Sequence, residues 1–149
     1  MPESDKVIRV AVDGSAGSRR ALEWALDEAR LRSCAVELVH VYAGNDSSTE
    51  EAHRRAEDVI EAMVEQVAAA GAHHPQISWE VVRGEAAEVL VRASEHSQLL
   101  VLGGHDLTGL RHSSQPSAAD LCIRMAACPV VVVPIPHEPT THSNLFTPV

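Results

Sequence analysis

Apolar positions along the chain switch repeatedly between a strand rhythm and a helix rhythm. Val7 to Asp13 (VIRVAVD) is a nearly continuous run of β-branched and small apolar residues that stops at Gly14, the pattern of a strand buried on both faces. In GSAGSRRALEWALDEARLRS, Ala21, Leu22, Ala25, Leu26 and Ala29 form one helical stripe, with Ser15 or Ser18 as the N-cap. CAVELVHVY, ending at Tyr42, predicts a second strand. GNDSS is a loop, and Ser47 or Ser48 caps a long helix whose stripe is Ala52, Ala56, Val59, Ile60, Met63, Val67 and Ala70, ended by Gly71. ISWEVVRG alternates as a third strand, with Trp79 on one face and Glu80 on the other. EAAEVLVRASEH reads as a short helix, LLVLGG as the fourth strand, and Pro116 to about Ala127 as the fourth helix. CPVVVVPIP is the fifth strand, and HEPTTHSNLFTPV a polar, proline-punctuated tail.

Strict alternation of strand and helix predicts an α/β fold: one open, five-stranded parallel sheet with right-handed crossovers and helices on both faces. One domain, residues 1–136, is expected, followed by a flexible tail, 137–149. In such a sheet, ligands sit outside the carboxyl ends of the strands where the strand order reverses. The polar ends available are Asp13-Gly14 after the first strand and Gly103-Gly104 after the fourth.

Composition narrows the chemistry. A formal charge of −9 without a basic cluster argues against nucleic acid and against an anionic membrane surface. The charged N-terminus is no signal peptide, no apolar run suits a membrane span, and the three cysteines (Cys34, Cys122, Cys128) read as buried thiols, so a cytoplasmic protein is expected. Lys6 is the only lysine, which excludes a P-loop, whose phosphate-binding lysine has no counterpart here. It also removes the receiver-domain reading, which resembles a lysine after the last strand. No G-x-S-x-G elbow is present, so hydrolase chemistry is not indicated. His105 and His112 lack the cysteine or second carboxylate that a metal site would need, and no metal is expected. His40 reads as a packed strand histidine, and His73-His74 as solvated loop residues.

From Val7 to Pro134 the sequence resembles a universal stress protein domain. VAVDGSAGSRRALEWA is similar to that family's opening strand, turn and helix, ELVHVY to its second strand, GEAAEVLVRAS to its third helix, and CPVVVVP to its closing strand. The resemblance implies strand order 3-2-1-4-5 in a Rossmann-like fold of the adenine nucleotide alpha hydrolase-like type. It also implies, as cofactor, ATP or another adenine nucleotide, held near Val12, Asp13, Val41, Leu102, Gly103, Ser117 and Ala118. Asp13 would face adenine or ribose in that family; from the residues alone it equally reads as an Asx turn closing its own loop. Val41 would supply backbone hydrogen bonds to a base.

The family's phosphate loop resembles G-x-x-G, nine residues, then G-S or G-T. Counted from Gly103, its second and third glycines fall on Asp106 and Pro116, and its hydroxyl on Ser117. Asp106 brings a like charge, worth about 3 kcal/mol at about 6 Å and an effective dielectric of about 20. Pro116 removes an N–H, although it suits the first turn of a helix capped near Ser114 or Gln115. Arg111 and His112 offer replacement contacts. The expectation is a non-catalytic stress-response regulator with a weakened triphosphate grip. The alternatives are a slowly hydrolysing ATP-binding protein, or an interaction subunit with no ligand and an unidentified protein partner. Order 3-2-1-4-5 places CPVVVVPIP at a sheet edge, so a homodimer pairing Val130, Val131, Val132 and Val133 across a two-fold axis is expected.

Overall fold

The computed structural model describes residues 6–43, 49–71, 74–104 and 117–135. Five strands, β1 (Val7–Ala11), β2 (Ala35–Tyr42), β3 (Ile77–Arg83), β4 (Leu99–Gly103) and β5 (Val130–Val133), form one parallel sheet. Its order is β3-β2-β1-β4-β5, so the chain reverses direction across the sheet between β1 and β4. Four helices alternate with the strands: α1 (Ala16–Arg32), α2 (Thr49–Ala70), α3 (Ala86–Ser94) and α4 (Ala118–Met125).

Alternate strand residues feed two separate cores. Ile8, Val10, Val36, Leu38, Leu99 and Val101 pack with the α1 stripe and with Ile60 and Met63 of α2. Val39, Leu100 and Leu102 pack on the opposite face with Leu90 of α3 and Cys122 of α4. All five residues of the α1 stripe are buried, whereas on α2 only Ala56, Ile60 and Met63 are. The outer end of the α2 stripe fails because β3 is an edge strand and gives it little to pack on: Trp79 and Glu80 are both exposed despite pointing to opposite faces.

Two charged side chains, Arg9 of β1 and Glu37 of β2, lie within interior strands. Arg9 donates from Nε to Glu37 (2.9 Å), its neighbour across the β1–β2 pair, and from Nη1 to Ala93 O (3.3 Å), His96 O (2.8 Å) and Ser97 Oγ (2.8 Å). A guanidinium thus meets the last carbonyls of α3, where the helix dipole favours a cation. The opposite end of α3 is fixed by this clamp near the carboxyl ends of the strands.

One boundary and one burial differ from expectation. Helix α4 begins at Ala118 with Ser117 as its N-cap, so Pro116 precedes the cap and Ser114 and Gln115 do not form it. Ser117 and Asp120 make a reciprocal capping box, Asp120 N–H to Ser117 Oγ (3.1 Å) and Ser117 N–H to Asp120 Oδ2 (3.0 Å), which outcompetes a proline start. Of the three thiols, Cys34 and Cys122 are buried as expected, but Cys128 is only half-buried. No helix among the described residues is long and apolar enough to cross a membrane. The tail, 137–149, lies outside the described residues.

Candidate functional site

At the carboxyl ends of β1, β2 and β4, on the α3/α4 face, the chain leaves a cavity of about 140 Å³. Ala11, Val39, Val41, Leu90, Leu102 and Ala119 are among its apolar lining, and its polar end is formed by Asp13, Ser15 and Ser18. Val12, Asp13, Val41, Leu102, Gly103 and Ala118 from the sequence-derived set all line it. Ser117 does not, although it caps the helix whose first residues do. Asp106 and Pro116, like Arg111 and His112, lie outside the described residues.

Close backbone packing shapes the mouth. A Cβ on Gly103 would lie 2.6 Å from the carbonyl carbon and oxygen of Gly17 and 3.0 Å from Ser18 N; one on Gly17 would lie 3.2 Å from Gly104 O. Glycines here let the first turn of α1 rest directly on the end of β4. Gly103 therefore has a packing role the sequence reading did not assign. Gly14 serves the turn itself, at φ +83°.

Asp13 realises its turn reading: Ser15 N–H donates to Asp13 Oδ1 (2.9 Å), and Asp13 N–H donates to Ser18 Oγ (3.3 Å). Both the turn and the cavity position hold together, because the Asx turn keeps the carboxylate at the rim. Val12 is tied on both sides. Its N–H donates to Val39 O (2.9 Å), and its carbonyl accepts from His40 Nδ1 (2.6 Å), which requires that nitrogen to carry the proton. His40 is thus a packed strand histidine with a bonded ring, as its sequence context suggested.

Val41 differs. Gly84 N–H donates to Tyr42 O (3.0 Å) and Val12 N–H to Val39 O, so even residues at this end of β2 bond towards β3 and odd residues towards β1. The β1–β2 pairing ends at Ala11 opposite Val39. Val41 is the next odd residue, and its N–H and C=O lie past the last rung, with no bond from either neighbouring strand. Among the described residues this donor–acceptor pair beside an apolar cavity has no backbone partner, and such a pair calls for one.

Electrostatically the site is mixed. The N-termini of α1 and α4 both reach it, through Ser15, Gly17 and Ser18 and through Ala118 and Ala119, and such ends favour anions. Both are already capped, α1 by Ser15 Oγ accepting from Ser18 N–H (3.2 Å) and α4 by its Ser117–Asp120 box. Among the described lining residues Asp13 is the only charged one, and there is no lysine, arginine or histidine. Ser15, Gly17, Ser18, Ala86 and Leu90 were among the lining residues missed, with Ala11, Val39 and Ala119. The serines had a signal in the GSAGS turn; Ala86 and Leu90 enter only through the way α3 packs over the strand ends. On the buried side of α4, burial pushes the Cys122 thiol above its ordinary value, and the neighbouring Cys128 adds to the effect. Burial raises Cys128 as well.

A doubly wound sheet of this strand order, with a crevice where the order reverses, defines a Rossmann-like α/β domain. The sequence profile of the Universal stress protein family matches residues 6–134. A universal stress protein of Mycobacterium tuberculosis strain H37Rv is 30% identical over 155 residues, covering 97% of this chain and 54% of that protein. Among solved structures, a universal stress protein in complex with cAMP superposes with a TM-score of 0.71 at 19% identity, covering 87% of this chain and 97% of that one. A universal stress protein from Archaeoglobus fulgidus in complex with dAMP gives 0.65 at 27% identity, covering 85% and 95%. This chain belongs to the universal stress protein family. It spans about half the length of the curated relatives it matches.

Proposed function

We propose that the chain is a non-catalytic regulatory module of the stress response that acts in the cytoplasm. Its crevice binds an adenine nucleotide or nucleoside with a weakened hold on a triphosphate. The observation that carries this reading is the Val41 peptide group, left without a strand partner at the edge of a largely apolar cavity. It offers one donor and one acceptor to the edge of a planar heterocycle, while Val39, Leu90 and Leu102 supply its faces. The dAMP and cAMP complexes of the two solved relatives support an adenine ligand. The weak triphosphate grip rests on Asp106 and Pro116 in the loop sequence, on the cap carboxylate of Asp120, and on the lack of a cation among the described lining residues. The one carboxylate of the described lining, Asp13, accepts from the Ser15 N–H within its own turn, which favours a binding role over catalysis.

Calorimetric titration with adenosine, AMP, cAMP and ATP tests it. Adenosine or AMP should bind, and ATP no more tightly than AMP. Low-micromolar ATP binding well ahead of AMP would end the weakened-grip reading and bring the slow ATPase forward, to be checked by phosphate release. No binding of any adenine compound at about 1 mM, a free energy near −4 kcal/mol, would end the pocket reading.

The reading includes a homodimer through β5. Leu100 N–H donates to Pro129 O and Gly104 N–H to Val133 O, so odd residues of β5 bond inwards to β4 and Val130 and Val132 turn their peptide groups outwards. Pro134 shares that outward parity and has no N–H, which limits the ladder to the valines. Val131 and Val133 pack their side chains on the inner core, so the exposed apolar surface at this edge is Val132 together with Ile123 of α4. A Val132→Lys plus Ile123→Lys variant should elute as a monomer with unchanged circular dichroism. A monomeric wild type by light scattering at tens of micromolar overturns the dimer.

A further inference from the structure

A second recess lies away from the crevice, between α3 and α4, with a volume of about 290 Å³. Its floor is Ala87 and Val91 of α3 with Leu121 and Met125 of α4, and Glu85, Glu88 and Glu95 stand along its α3 rim with Arg92. Met125 is 63% exposed, among the most exposed large apolar side chains of the described residues. Leu121 and Met125 are four apart and share one side of α4, while Ile123 lies on the far side towards β5. The groove is thus separate from the surface assigned to the dimer.

The three glutamates have no ion-pair partner among the described residues, unlike Glu28, Glu37 and Glu51, which are paired with arginines. Glu85 occupies the N-cap of α3 without a side-chain cap bond. An apolar floor with an unneutralised acidic rim outnumbering its single arginine selects a partner of matching pattern.

We propose that this groove docks an amphipathic helix of a partner protein, with two aliphatic side chains one turn apart on the floor and arginine or lysine against Glu85, Glu88 and Glu95. Methionine suits the floor because its flexible thioether adapts to more than one aliphatic knob. Charge along the rim sets orientation and encounter rate, and the floor sets residence time.

The test uses the whole chain and two labelled helical peptides with one leucine face, flanked by arginine in one and by glutamate in the other. By fluorescence anisotropy at about 50 mM salt, where screening is weak, the arginine peptide should bind at least about tenfold tighter. The gap should shrink at about 300 mM salt. Met125→Glu should weaken the arginine peptide by about tenfold or more. A Glu88→Arg plus Glu95→Arg variant should reverse the preference. A control pair on α2, Glu61→Arg plus Glu65→Arg, should leave it unchanged. Circular dichroism confirms that each variant folds. Equal affinity for the two peptides, no binding of either, or an equal effect of the α2 control overturns the proposal. If Met125→Glu instead turns a dimer into a monomer, the groove belongs to a second copy of the chain and the partner-helix assignment falls. Nucleotide titration of the same variants should be unchanged, which separates this outcome from the fate of the crevice.

Discussion

Substituting Gly103 by alanine tests how rigidly α1 is seated on β4. The added methyl would fall 2.6 Å from Gly17 C and O and 3.0 Å from Ser18 N. All three are backbone atoms in the first turn of a 17-residue helix whose stripe is buried, so no side chain can swing aside. Relief requires the helix or the strand end to shift by several tenths of an ångström. Overpacking of this kind costs about 1–3 kcal/mol. For a domain of this size each kcal/mol lowers Tm by about 2–4 °C, so about 2 kcal/mol predicts a fall of roughly 4–8 °C in a thermal melt followed by circular dichroism. Gly71→Ala is the matched control, since a methyl there meets nothing within 4 Å and φ is not left-handed. It should leave Tm unchanged or raise stability by about 0.4–1 kcal/mol. Because Gly103 and Gly17 both line the crevice, Gly103→Ala should also weaken adenosine in calorimetry. A Gly103→Ala protein that melts within a degree of wild type would show that the contact yields freely, and the rigid seating would be wrong.

Arg9→Met removes the clamp on α3 and should cost about 1.5–3 kcal/mol in urea unfolding, with hydrogen exchange accelerated in α3 more than in α1; uniform acceleration would deny the clamp. Asp13→Asn keeps an oxygen for the Ser15 N–H and should preserve Tm, whereas Asp13→Ala should lose about 0.5–2 kcal/mol, by analogy with a lost cap. If both variants bind adenosine as wild type does, Asp13 serves the turn alone. The Cys122 thiol is held above its ordinary value in the folded state, so it binds its proton more tightly there than in the unfolded chain. The resulting stability is intact below the ordinary thiol range and declines as pH climbs through and above it. Alkylation of Cys122 near pH 8, followed by mass spectrometry, should therefore lag far behind that of the urea-unfolded protein, and equal rates would contradict the burial.

Local periodicity carried most of the fold. The α1 stripe from Ala21 to Ala29 was legible residue by residue because a central helix buries a full face. The α2 stripe over-reached because periodicity marks an apolar face without showing how little an edge strand gives it to pack on. The start of α4 was misplaced because Pro116 and Ser117 both signal a helix start, and the carboxylate three residues beyond the serine decides between them. Asp13 and Val41 were legible as crevice-lining residues through the resemblance to the universal stress family. Arg9, which pairs with Glu37 and the end of α3, was not, since nothing local distinguishes it from a charged residue at a strand edge. Likewise, Gly17 meeting Gly103 joins positions 86 residues apart, and neither glycine alone announces the other.

The open peptide at Val41 has an evolutionary corollary. A recognition element made of main chain cannot be deleted by changing a side chain, only reshaped. Substitutions at position 41 should alter how snugly a heterocycle lies in the slot while leaving its hydrogen-bonding edge readable. If the proposed ligand is read there, drift at this position would retune which ring is preferred well before it abolished binding. A ligand seated there would in effect supply the next rung of the β1–β2 ladder, a small molecule standing in for the residue at which the first strand turned away.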